Sequence, residues 1–556
     1  MLRVYARPLG LLLCACLFAA QAHAQVATPA AEKTEAEKWR EDLRHMASEM
    51  EQRHRNLFHT ITRAQFEQAV NSLHERIPKL TRHQIIVEMA RIAASIGDGH
   101  TNVNPARDPK AGFRTLPVKL YLFKDGLYVR AARREQAELV GARVVRVGGA
   151  SVEEAVSRAR GIIGRDNEMG VRFLAPVLLA MPEVLHALGL AESTESASFT
   201  VERGGRQQTV TLKPHGPAEM LPADTDTTWM AREGWADMRD EAKTPTPLWL
   251  KEPRNKFRYE YLPESRAVYV QLNEVGNKDE ETLADFSKRL FAFVEANPVE
   301  KMVLDLRLNR GGNGELLRPF VVGLLKSKVD RPGRLFALIG RSTWSAAQFL
   351  NDHLERWTNV VFVGEPSGSK GNTYGDSRRI TLPNSGLTVR VSVYYWQMWA
   401  PWDTRQWTAP HVTAELSSED YRANADPVLK AALEYVPRKS LVELLNDALT
   451  EGGVESAVKR FREFKAEPAN RYAASEEPLL VAGQRLLNEK KPAQALQLFK
   501  LSAEEHPHSW RSVFAVGVAH LLSGDKEQAA KSLEKALEMN PKGYEVRESL
   551  LQANRR

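Results

Sequence analysis

Covalent chemistry in this chain falls to hydroxyls. Its two cysteines, Cys14 and Cys16, both lie in the first 24 residues, so the remainder has no thiol nucleophile, disulfide or thiolate metal site. Three glycine-rich loops carry the reactive residue types. The first runs Asp305-Leu-Arg307-Leu-Asn309-Arg-Gly311-Gly312 after the apolar run Met302 to Leu306. Paired glycines between a strand end and a helix start leave backbone N–H groups unshielded at an electropositive place, which suits an oxyanion as well as a plain tight turn. The second is Gly340-Arg341-Ser342-Thr343-Trp344-Ser345-Ala346-Ala347, where a helix should begin. Ser345 there suits an N-cap, and equally a nucleophile, because the two alanines after it let a substrate carbonyl approach. It lacks the Gly-x-Ser-x-Gly elbow, so an α/β-hydrolase fold is not assigned. The third loop, Gly364 to Asp376, carries Lys370, which could serve as a neutral base if desolvated. Ser367 and Lys370 also spell Ser-x-x-Lys, but that signature needs a helix start, and this segment is too rich in Gly and Pro.

The elements that must position these loops are legible from periodicity. Residues 1–24 have the form of an export signal: Arg3 and Arg7, an apolar run from Leu9 to Ala20, then Ala22 and Ala24 around a cleavage point after Ala24. That run is shorter than the roughly 20 residues of a membrane span. No later stretch is apolar enough for a stable span, which predicts a periplasmic or secreted protein. The signal supplies two of the formal +7 charges, leaving +5 on the rest, and no basic run is interleaved with aromatics; a nucleic-acid partner is therefore not expected.

Residues 25–110 read as a helical cap, with Met46, Met50, Phe66, Ala69, Val70, Leu73, Ile85, Ile86, Met89 and Ile92 at helical spacing. The cap ends in Gly97-Asp98-Gly99-His100-Thr101, which leaves the histidine on a turn. Residues 111–215 alternate like strands, with a helix at 152–162 and a helical insert near 166–190, in an order that resembles a PDZ-like domain. Residues 216–256 read as a loose linker. From 257 to 437 strands alternate with helices, an α/β pattern with a mainly parallel sheet. In residues 438–556, Gly483 and Gly517, Leu487 and Leu521, Ala495 and Ala529, and Pro507 and Pro541 are each 34 apart. Period and residue types resemble tetratricopeptide repeats, a surface on which a protein partner could dock.

Asp-Leu-Arg-x-Asn-x-Gly-Gly, the Ser-Ala-Ala segment, Gly364-Glu365 and Leu382-Pro383-Asn384-Ser385-Gly386 together resemble the tail-specific (C-terminal processing) protease family, over about residues 90 to 435. The resemblance implies a crotonase-like catalytic core of βαβ units, a PDZ-like recognition domain and serine peptidase activity on protein or peptide substrates, with no metal or cofactor. It implies Ser345 as nucleophile and the N–H groups of Gly312 and Ala346 as oxyanion hole. Two bases fit: Lys370, as in the processing-peptidase branch, or His100, as in the tricorn-like branch. His100 is preferred, because imidazole titrates near neutral pH without a large desolvation cost. Asp403 is its expected orienting acid. A departure is Pro410-His411, where the family often has Pro-Asp. Two rival readings keep the same modules: a catalytically inactive scaffold binding envelope proteins, and a hydrolase of small esters or amides.

Overall fold

The computed structural model of the chain describes residues 33–215, 229, 233–239 and 245–554. The expected export signal and its cleavage point, and much of the expected linker, lie outside the described residues. Among the described residues no helix is long and apolar enough to cross a membrane.

The chain opens with helices Glu35–Arg53, Arg63–Arg76 and Arg82–Ser95. The first two start at capping boxes, Thr34 with Glu37 and Thr62 with Gln65, each cap contributing about 1 kcal/mol. Their apolar stripes, Met46, Met50, Phe66, Leu73, Ile85, Ile86 and Met89, are buried, whereas Ala69 and Val70 are only partly covered.

A seven-stranded antiparallel sheet follows, its main path in the order Val118–Phe123, Gly126–Arg133, Arg143–Val147, Ala197–Arg203 and Arg206–Leu212, with Ala150–Ser151 and Trp235–Asp237 paired beside it. Lys124 and Asp125 make the first hairpin turn, since Phe123 pairs with Gly126. Helices Val152–Arg160, Glu168–Leu178 and Pro182–Ala187 interrupt the sheet and share one core with the N-terminal helices.

The stretch expected to be a loose linker is packed at several of its described residues. Trp235–Asp237 adds a strand beside Gly126–Arg133, and Trp229, Met238, Trp249 and Leu250 are buried with Phe123 and Tyr421. Tryptophans bury too much apolar surface to be left in a tether, so composition misled where individual residues did not.

The second sheet has six strands, in the order Val412–Thr413, Val361–Gly364, Leu335–Ile339, Lys301–Asp305, Ala267–Leu272 and Phe257–Leu262. Every pair is parallel except the last. Helices Leu283–Ala296, Arg318–Lys326 and Ala346–Trp357 cross between the parallel strands. The central strands are apolar on both faces: Val268, Val270 and Leu304 pack into one core, and Tyr269, Val303 and Leu338 into another with the helix Pro427–Leu433. Such doubly covered strands are what a parallel sheet requires.

A long hairpin, Asn372–Thr381 with Thr388–Gln397, joins the two halves. Ile380, Leu382, Val389 and Val391 belong to the N-terminal core, and Asp42 accepts hydrogen bonds from the Asn384 and Ser385 N–H groups at its turn. Asn102 bridges to Arg390. The turn that carries His100 is thereby fastened to the half of the molecule that carries Ser345.

After Leu441–Ala466, which breaks at Gly452 and Gly453, helices Glu476–Asn488, Pro492–Glu505, Trp510–Leu522, Lys526–Met539 and Tyr544–Asn554 pack in succession. The 34-residue period has a steric basis. A Cβ at Gly483 would lie 2.2 Å from Phe499, and one at Gly517 2.8 Å from Leu533, so each repeat brings two helices to the same close approach.

Candidate active site

Ser345 stands between the strand Leu335–Ile339 and the helix Ala346–Trp357 in a backbone conformation rare for a side-chain-bearing residue, φ +56° and ψ −123°. A conformation of this kind costs about 1–3 kcal/mol and persists only where the surroundings enforce it. The enforcement is visible. Thr343 Oγ1 accepts from Gly340 N–H and donates to the Leu306 carbonyl, Trp344 N–H donates to the Asn309 carbonyl, and Ser345 N–H donates to Ser369 Oγ. The Ser345 hydroxyl makes no capping hydrogen bond to its helix. It lies instead 3.1 Å from His100 Nε2.

His100 is held from three sides. Asp98 Oδ1 accepts from the His100 and Thr101 N–H groups at 3.0 and 2.7 Å, as well as from Ser392 Oγ, while His54 Nε2 lies 3.0 Å from Asp98 Oδ2. The Trp344 indole stacks on the imidazole, centroids 3.9 Å apart and planes 17° from parallel. Gly99 N–H donates to Asp166 Oδ1, and the other oxygen of Asp166 accepts from Ser369 and Thr373 hydroxyls. A single carboxylate thus ties the histidine turn to the hydroxyl that holds the Ser345 amide. Neither Asp166 nor Ser369 stood out in the sequence, because each lies in a segment read only as insert or turn, and their link spans 203 residues.

Burial holds the His100 imidazole below its ordinary range, against the opposing pull of the Asp166, Asp98 and Asp376 carboxylates. A neutral ring is therefore the state at neutral pH, and its Nε2 can accept the serine proton. Nδ1 is buried and makes no hydrogen bond of proper geometry; the Tyr374 backbone carbonyl adds a small contribution in favour of the protonated ring. Burial alone would raise the Asp98 carboxyl, but hydrogen bonds and charge from His54 and the Ser392 hydroxyl outweigh it and leave it lowered.

The expected oxyanion loop lies against the serine. Asp305 accepts from Tyr269 Oη and Arg307 Nε, and Arg307 forks onto Asp426 with two 2.8 Å bonds. This buried network explains the Asp-x-Arg spacing. Asn309 donates to the Leu272 carbonyl and accepts from Gly311 N–H. Gly311 has φ +103°, and a Cβ there would sit 2.7 Å from Ser345 Cβ and 2.9 Å from Ala346 N, so only glycine fits. Gly311 O and Asn313 N–H bond to Val275, an isolated parallel bridge that turns the Gly312 N–H away from that segment. Ala346 N–H belongs to the first turn of its helix, where amides have no intrahelical partner.

The other expected side chains do not hydrogen-bond to Ser345 or His100. Lys370 is half-buried beside Ser369, has no hydrogen bond to Ser345, and its charge is felt at the His59 ring. Ser367, two residues from its Ser369 carbonyl partner, lies in irregular backbone rather than at a helix start. Asp403 does not meet His100. It accepts from the amide and guanidinium of Arg405, which also donates to Glu355. Glu355 is ten residues along the helix from Ser345, about 15 Å at helical rise, so the expected orienting role is not met at this carboxylate. His411, at the departure noted in the sequence, accepts from Phe362 N–H and stacks on its ring. No group of three or more metal-ligating side chains occurs among the described residues.

No family model matches the chain, and no curated protein is significantly similar to it. Solved structures are similar in part. Mature CPAF complexed with lactacystin has a TM-score of 0.49 and 13% identity, over 72% of this chain and 98% of that one. The photosystem II D1 C-terminal processing protease gives 0.33 and 14%, over 72% and 98%. The tricorn protease gives 0.32 and 14%, over 72% of this chain and 37% of its own. Likenesses of this size leave the assignment to the geometry of the site.

Proposed function

We propose that the chain is an exported serine peptidase of the tail-specific type, nearer its tricorn-like branch, that cleaves protein or peptide substrates through an acyl-enzyme at Ser345. His100 Nε2 takes the hydroxyl proton as Oγ attacks the scissile carbonyl carbon. The Gly312 and Ala346 amides hold the resulting oxyanion. Collapse breaks the C–N bond, and the leaving amine takes the proton from His100. Water, deprotonated by the same imidazole, then attacks the ester, releases the acid and returns the proton to Ser345. The reading keeps the crotonase-like core, the PDZ-like domain for substrate recognition and the tetratricopeptide-like repeats as a docking surface for a protein partner.

The observation that carries the proposal is the 3.1 Å contact between His100 Nε2 and Ser345 Oγ, at a serine whose backbone is strained and whose hydroxyl is not used as a cap. It favours His100 over Lys370 as base. The test is labelling by a fluorophosphonate probe. Wild type and Lys370→Ala should label, while Ser345→Ala and His100→Ala should not. Labelling that survives in His100→Ala and is lost in Lys370→Ala would reverse the choice of base, and no labelling of wild type would favour the inactive scaffold.

A further inference from the structure

The hairpin Asn372–Thr381 with Thr388–Gln397 carries an aromatic surface that the proposed chemical steps do not use. Side chains alternate along a strand, so Tyr394 and Trp396 share one face, while Tyr395 packs on Tyr374 with ring centroids 4.8 Å apart. Tyr394 is 55% and Trp396 38% exposed, and their rings lie 6.1 Å apart. Opposite Tyr394 in the ladder stands Gly375, which puts no side chain on that face. A Cβ there would meet Trp396 Cδ1 at 3.3 Å and His100 Cε1 at 3.8 Å. The space above Gly375 therefore adjoins the indole and the imidazole at once.

A third ring continues the surface to the other side of the site. Phe349 lies about one helical turn after Ser345, and its ring centroid is 5.2 Å from that of Trp396 at 54°. A Cβ at Gly314, just beyond the Gly311-Gly312 pair, would lie 3.0 Å from the Phe349 ring. Tyr394, Trp396 and Phe349 thus form a shelf that runs from the hairpin beside His100 to the loop expected to hold the oxyanion. The indole is fixed in place. Asp376 has φ +51°, a left-handed conformation that Asp adopts more readily than most residues, and its carboxylate accepts from Trp396 Nε1–H at 3.0 Å. The single donor of the indole is engaged there, so ring carbon is what it offers to solvent.

We infer that this shelf is a specificity surface that takes an aromatic side chain of a substrate residue flanking the scissile bond. The inference rests on the peptidase reading and names its substrate class. An aromatic guest gains offset or edge-to-face contacts with the three rings in addition to burial, which an aliphatic side chain of similar area lacks. The occupant is part of the substrate because the shelf is continuous with the place where the carbonyl would be attacked.

The test is a set of internally quenched peptides with Phe, Tyr, Leu, cyclohexylalanine or Ala at each position flanking the cleaved bond. Wild type should cleave its best Phe peptide about tenfold faster in kcat/KM than the Ala counterpart, and about threefold faster than the cyclohexylalanine one, which fills the same space without a π face. Scored as the Phe-to-cyclohexylalanine ratio within each variant, Trp396→Ala and Trp396→Leu should bring that preference to about one. Asp376→Asn, whose side-chain carbonyl can still accept from the indole, should keep it. Equal rates on Phe and cyclohexylalanine peptides, or a preference that Trp396→Leu leaves unchanged, by an enzyme that labels at Ser345 would overturn the shelf and leave the peptidase reading standing. So would co-sedimentation with phosphatidylglycerol vesicles that Trp396→Leu abolishes without moving the peptide ratio, since the rings would then serve a membrane surface. An enzyme that neither labels nor cleaves would remove both.

Discussion

Placing a methyl group at Gly99 probes the stack that orients His100, the proposed base. A Cβ there would meet Trp344 Cζ2 at 3.0 Å, Nε1 at 3.2 Å and Cε2 at 3.3 Å. Gly99 has no left-handed φ among the positive-φ glycines, so Gly99→Ala introduces crowding without backbone strain. Relief requires the indole to shift by a few tenths of an ångström, and the imidazole stacked on it at 3.9 Å must follow or lose contact. Overpacking of this kind costs about 1–3 kcal/mol of stability. Displacing a catalytic group by up to 1 Å costs up to about 10²-fold in rate, so kcat should fall about 10- to 100-fold with KM little changed. Trp344→Phe lacks Cζ2 and Nε1 yet keeps an aromatic face. It should relieve the crowding, so that the double variant is at least threefold more active than the product of the single effects predicts. Steady-state kinetics on one peptide, with thermal melts to separate stability from rate, decide the matter. A Gly99→Ala enzyme with wild-type kcat, or strictly multiplicative single and double effects, would refute the claim that the Trp344 stack sets the position of His100.

Two further predictions follow from charge. His100 is held below its ordinary value by burial, so the neutral ring, and with it kcat/KM, should persist below pH 6.5 and fall only as the pH drops through the lowered value; a pH–rate profile whose acid limb lies above 6.5 would contradict this. Asp352 is pushed up to about 7 by burial, although Trp399 and Gln348 donate to it. A carboxyl raised from 3.8 to about 7 on folding withdraws stability as pH rises between those values, by up to about 4 kcal/mol. Asp352→Asn should accordingly raise the melting temperature relative to wild type at pH 8 and not at pH 4, its net gain reduced by about 1–3 kcal/mol for the buried amide nitrogen left without a partner. Melts across that range check the sign.

Much of the local structure is written in short-range pattern. The helical stripes through Met46 and Ile86, the apolar runs at 267–272 and 335–339, and the 34-residue spacing of Gly483 and Gly517 each express a period that the backbone imposes on its own. The Asp305-to-Gly312 motif and Ser345 were also legible, since a strand end, glycines and a helix start fall within eight residues of one another. The orientation of the histidine was not. His100 reaches Ser345 across 245 positions, through the hairpin that welds the N-terminal core to the parallel sheet, and no local rule sets that closure. The same holds for Asp166 and Ser369, which read as ordinary loop residues until folding lays one between the turns of His100 and Ser345. Asp403 shows the converse: its carboxylate accepts from the amide and guanidinium of Arg405, two residues away, so a local turn uses the group that the sequence offered to a distant histidine. Residue types and periods therefore decided which chemistry the chain could carry, whereas the packing of one core against another decided which of those groups meet.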